Sequence, residues 1–176
     1  MTSSDDIQNL RVSVSDFLTQ FLVERNPAKA LTSFSQSAFE NLAMFDDSCS
    51  GYVKDGERTA GGIRRGVEKF LNDAGSLPLT QSLRSLSAEA LVPLKRKMGA
   101  RAVNFSTDDP FILVHATPGE VASLMSRKSA KAFLRKHLRS KSPVVSYIPL
   151  GQGVGYLVWV KEGAQWKIWH ASLVCM

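Results

Sequence analysis

Between Tyr156 and Cys175 the chain carries two apolar runs, Tyr156 to Val160 and Gln165 to Cys175, broken only by Lys161, Glu162, Gly163 and Ala164. No other stretch limits the possible folds as much. Val, Ile and Trp in runs of this length favour extended backbone, and the polar, Gly-containing break is hairpin chemistry. Strict alternation would place Trp166, Ile168, His170 and Ser172 on one face, and Lys167, Trp169, Ala171 and Leu173 on the other. Apolar groups on both faces predict a sheet that is covered on both sides or curled around an interior, so the rest of the chain must supply the cover.

The upstream segments read mostly as that cover. From Asp5 to about Val23, Ile7, Leu10, Val14, Phe17, Leu18, Phe21 and Leu22 follow helical spacing, with Ser3, Ser4, Asp5 and Asp6 as cap and negative charge at the start. Asn26-Pro27 opens a second helix through Ala30, Leu31 and Phe34. A third runs from Ala60 to Gly75. Residues 38–45 could finish a helix or enter a strand, and residues 77–101, bounded by Pro78 and Pro93, favour a helix only weakly. Strands are expected at 102–105 and 111–115 around a turn containing Asp108 and Asp109. Thr117-Pro118 opens a long helix to about Arg139, and Val144 to Ile148 forms a strand ended by Pro149. Gly151, Gly153 and Gly155 form the loop into the final hairpin. The whole is a single α+β domain over 1–176, with 117–141 as a helical insertion.

Charge is concentrated in that insertion. The chain carries +6, and Arg127, Lys128, Lys131, Arg135, Lys136, Arg139 and Lys141, set against Glu120 alone, account for all of it. Arg127, Lys128, Lys131 and Arg135 form a stripe that fits an acidic protein, nucleic acid or an anionic surface. The plainer reading is a solvated helix face whose other side packs on the sheet. No apolar run is long enough to span a membrane, and the polar start lacks a secretory signal, so a cytoplasmic location is expected. Cys49 and Cys175 have neither a disulfide framework nor metal-ligand spacing. The loop Gly151-Gln152-Gly153-Val154-Gly155 enters a strand rather than a helix, which argues against a dinucleotide cradle. No metal or cofactor is implied.

The cadence Phe17 to Leu31, a third helix after a Gly-rich turn, and the closing pair Gly155 to Val160 and Gln165 to His170 resemble the nuclear transport factor 2-like superfamily, which includes ketosteroid-isomerase-like and polyketide-cyclase-like proteins. The resemblance covers residues 5–75 and 143–175. It implies a cystatin-like cone: a curved, mostly antiparallel sheet wrapped on N-terminal helices, with a pocket at one end and a homodimer through the sheet. The ligand would be small and apolar or amphipathic, with Tyr147, Trp166, Ile168, Phe17 and Phe21 as candidate ligand-binding residues. Any chemistry would be proton transfer of the isomerase or lyase type.

Such chemistry needs a base facing a hydrogen-bond donor in an apolar wall. Asp46, Asp47 and His170 are the candidate catalytic residues, beside Tyr147. Their plainer roles are loop or capping carboxylates for the two aspartates and an interior histidine for His170. His115 and His137 have no visible catalytic setting. The alternative function is a non-enzymatic interaction module that binds an acidic partner or nucleic acid through the basic segment 119–141.

Overall fold

The computed structural model describes residues 3–37, 59–75, 109, 111–124, 128–150 and 153–172. Helix α1 (Ser4–Leu18) starts at a reciprocal cap. Ser3 Oγ accepts from the Asp6 N–H at 3.1 Å, and the Asp6 carboxylate accepts from the Ser3 N–H at 3.3 Å, which satisfies two donors that a helix start otherwise leaves open. Its buried stripe is Leu10, Val14, Phe17 and Leu18. The helix then widens into a π-turn, Thr19–Val23, with the Glu24 N–H donating to Thr19 O. Arg25, at φ 50°, ends it. The Asn26 side chain caps α2 (Pro27–Leu31) through the Lys29 N–H. Helix α3 (Ala60–Gly75) has the bounds read from the sequence, and it lies against α2 and the π-turn.

After β1 (Ile112–His115) come two short helices, α4 (Pro118–Ser123) and α5 (Lys128–His137), then β2 (Val144–Leu150), β3 (Gly153–Glu162) and β4 (Gln165–Ser172). The strands form an open antiparallel sheet in the order β1-β2-β3-β4. Helix α1 lies on one face. There Phe17 meets Trp159 edge to face at 6.3 Å, and Trp166 Nε1 donates to Asp6 O at 3.0 Å. Helices α4 and α5 cover the other face, where Val121, Leu134 and Leu138 pack with Val145, Val158, Val160 and Trp169. The chain is therefore α+β with a sheet covered on both sides, one of the two arrangements the terminal runs allow. Along the edge of β4 away from β3, the Ser35 N–H donates to Ile168 O and the Ile168 N–H donates to Ser33 O, so residues 33–35 hold part of that edge.

Besides α2, which stops at Leu31 and leaves Phe34 to bridge Ile168 rather than extend the helix, four expectations change. The long helix is two helices: a straight one would set Val121 and Leu138 about 25 Å apart, whereas both reach one cluster beside Trp169. Folding back lets two apolar stripes cover the same sheet face. Second, β2 continues through Pro149, which pairs with Val154. The β1 register ends at Tyr147, so β1 asks for no donor from the proline. Gly153 and Gly155 accordingly belong to β3 rather than to a loop. Third, the hairpin turn is only Gly163-Ala164, because Lys161 and Glu162 are paired strand residues. Fourth, Asp109 is more than a turn residue. It takes a two-pronged ion pair from Arg11, at 2.8 and 3.1 Å, tying α1 to the approach to β1.

Candidate functional site

The terminal hairpin does not keep strict alternation. Val158 pairs with His170 and Trp159 with Ile168, which leaves Trp169 as an extra residue in β4. A bulge of this kind sets two successive side chains on one face and shifts every later residue. Trp166 and Ile168 stay on the α1 face, but His170 crosses to the α4–α5 face with Trp169, and Ala171 moves to the α1 side opposite Leu157. Nothing in the composition of Trp166 to Ala171 announces the extra residue.

His170 is fully buried and stacks on Tyr156, with ring centroids 5.8 Å apart and planes 25° from parallel. Tyr147, half-buried, lies 6.3 Å from Tyr156. The Tyr156 hydroxyl donates to Leu124 O at 2.8 Å, joining β3 to the end of α4. His170 and Tyr147 therefore do share a neighbourhood, through Tyr156. Asp46 and Asp47, the expected carboxylate bases, lie outside the described residues.

Four of the five side chains expected to line a ligand wall, Phe17, Phe21, Trp166 and Ile168, are buried. Phe17 stacks on Phe21 at 5.5 Å and meets Phe34 edge to face at 6.0 Å. Ile168 is fully buried, and Trp166 is held by Asp6 O. Phe17, Phe21, Trp166 and Ile168 thus gather on the α1 face, separated from Tyr147 and His170 by the sheet itself.

The basic segment is the other candidate surface. Leu134 and Leu138 are completely buried, and the Leu138 N–H donates to Leu134 O at 2.9 Å, so helical geometry continues past His137. With that stripe facing the sheet, Arg135, Lys136 and Arg139 are exposed and Lys131 is half-buried. Lys141 is drawn inward, its ammonium 5.7 Å from the Trp169 ring centroid. Trp169 is fixed in turn by Glu162, whose Oε1 accepts from Trp169 Nε1 at 2.7 Å and from the Ser35 hydroxyl at 2.5 Å. Among the described residues, no ion pair engages Lys131, Arg135, Lys136 or Arg139. Lys128 opens α5, and Arg127 lies outside the described residues. The exposed cations extend further along the chain than the stripe read from charge spacing. Setting the spacing against the Leu134 and Leu138 anchors would have identified Arg139.

Among the described residues there is no group of three potential metal ligands, and no helix long and apolar enough to cross a membrane. No family model, curated protein or solved structure matches the chain.

Proposed function

We propose that this protein is an interaction module whose α5 surface binds an acidic segment of a partner protein. The observation that supports this most directly is the orientation of α5: its buried Leu134 and Leu138 hold Arg135, Lys136 and Arg139 outward. A helix whose inner stripe is fixed in the core presents its cations without having to order itself on binding.

Magnitudes favour a protein partner over nucleic acid. Ten helical residues span about 15 Å, and the four cations whose side chains are described there, Lys131, Arg135, Lys136 and Arg139, would neutralise about four phosphates. Nucleic-acid binders that rely on the backbone use roughly 6–10 such contacts. Among the described residues, the aromatic side chain clustered with Leu134 and Leu138, Trp169, is buried and offers no platform for bases. A small ligand held in a cone, with His170 and the loop aspartates as bases, is the other reading. The close packing of Phe17 on Phe21, Phe34 and Trp159 weighs against it.

The test is fluorescence anisotropy with a labelled Glu/Ala helical peptide and, separately, a duplex DNA, across a salt series. Peptide binding should weaken with salt and fall at least about tenfold in the double variant Lys136→Glu, Arg139→Glu, since each charge reversal replaces an attraction with a repulsion. Unchanged peptide affinity in that variant would sink the proposal. A preference for DNA with a log–log salt slope steeper than about −4 would reassign the surface to nucleic acid.

A further inference from the structure

On the opposite side of the molecule from α5's cluster, a half-open groove of about 430 Å³ runs between α1 and the start of β4. One wall is a polar stripe, Asn9, Ser13, Asp16 and Gln20, whose steps of four, three and four residues keep it on one helix face. The other wall is Gln165, Trp166 and Lys167, and Thr32 and Ser33 close one end.

Two features of the groove lack a partner among the described residues. The first is backbone. The two-residue turn is flanked by the pair Glu162 and Gln165, and antiparallel partners alternate between bonded and outward-facing positions. Ile168 faces outward, since its N–H and C=O are taken by Ser33 and Ser35. Two residues earlier, Trp166 has the same phase, so its backbone N–H and C=O point to the edge that borders the groove, where no described residue pairs with them. The second feature is a set of acceptors. Gln20 Oε1 is enclosed without a hydrogen-bond partner, and one turn before it stands the exposed carboxylate of Asp16. Among the described lining residues the one ammonium, that of Lys167, already donates to Thr32 O at 2.8 Å.

We propose that this groove binds an extended, arginine-bearing peptide of a partner protein, its backbone adding to β4 at Trp166 and its guanidinium donating to Asp16 and Gln20. Strand addition draws affinity from main-chain hydrogen bonds and selectivity from side-chain subsites. A guanidinium has five donors in a fixed fork, which suits two acceptors one helical turn apart better than a single ammonium does. This surface is independent of the one on α5, whose cations would repel the same peptide.

The experiment follows backbone amide shifts in the isotope-labelled full chain during titration with a capped pentapeptide of Thr and Val carrying a central Arg. Shifts should centre on Trp166, Asn9, Ser13 and Asp16. Asp16→Asn, an exposed and isosteric change, should weaken binding about tenfold, as expected for one lost charge-assisted bond. Methylation of the probe's backbone nitrogens should weaken it comparably. No shifts at millimolar peptide would overturn the proposal, as would equal affinity for a Glu-centred probe. Equal affinity for N-acetylarginine amide would also overturn it, because the strand edge would then play no part.

Discussion

Two residues show how local chemistry fixes this chain. Gly163 sits at φ 61° in the β3–β4 turn, with open space around its missing Cβ. A positive φ at the first of two loop residues suits the right-handed strand twist. Gly163→Ala therefore meets a conformational penalty rather than a clash, and should cost about 1–2 kcal/mol of stability by urea unfolding. His115 carries a different signature, because burial pushes its pKa below the ordinary 6.5. The folded state resists a proton that the unfolded chain accepts, so this contribution is present above pH 6.5 and is lost as the pH falls through the lowered value. The urea midpoint should thus drop between about pH 7.5 and pH 5.5, and drop less in His115→Gln. Equal drops in both proteins would remove His115 as the cause.

At the scale of elements, the reading from sequence succeeded where one residue dictates local geometry. The Ser3 and Asp6 cap, the Asn26-Pro27 start and the Gly163 turn all announce themselves, and the starts of α1 and α2 and the last hairpin follow, although α2 stops at Leu31 where Phe34 turns to bridge Ile168. It failed where an element's course is set by what it packs on. Periodicity ran Thr117 to Arg139 into one helix because nothing local marks the break, whereas the shared cluster around Trp169 requires α4 and α5 to fold back on each other. Pro149 has the local signature of a strand end, although no described β1 residue pairs with it and would need its N–H. The weight of α5 in the fold can be measured directly. Leu134 is fully buried in that cluster, and Leu134→Ala should cost roughly 2–5 kcal/mol. A smaller loss, under about 1 kcal/mol in denaturant titration, would mean that α5 is peripheral to the core.

At the scale of the whole molecule, the legible part of the candidate sites was composition and the illegible part was juxtaposition. The basic segment can be counted from the sequence, and the stripe Asn9, Ser13, Asp16 and Gln20 obeys helical spacing. Its opposing wall, however, lies some 150 residues further on at Gln165 to Lys167, beyond the reach of any local pattern. Alternation alone puts His170 on the face of Trp166 and Ile168 for a similar reason, since only the pairing of β3 with β4 reveals the extra residue at Trp169. The same long reach shows in the ties between Asp6 and the last hairpin: Lys161 donates to its carboxylate, and Trp166, 160 residues away in sequence, to its carbonyl. On a ribosome adding roughly 5–20 residues per second, α1 would wait on the order of 8–30 s between its own emergence and the arrival of Trp159 and Trp166. Throughout that interval the apolar stripe of Leu10, Val14 and Phe17 has no sheet to cover, so nascent chains of this protein should be clients of holding chaperones until the final hairpin is made.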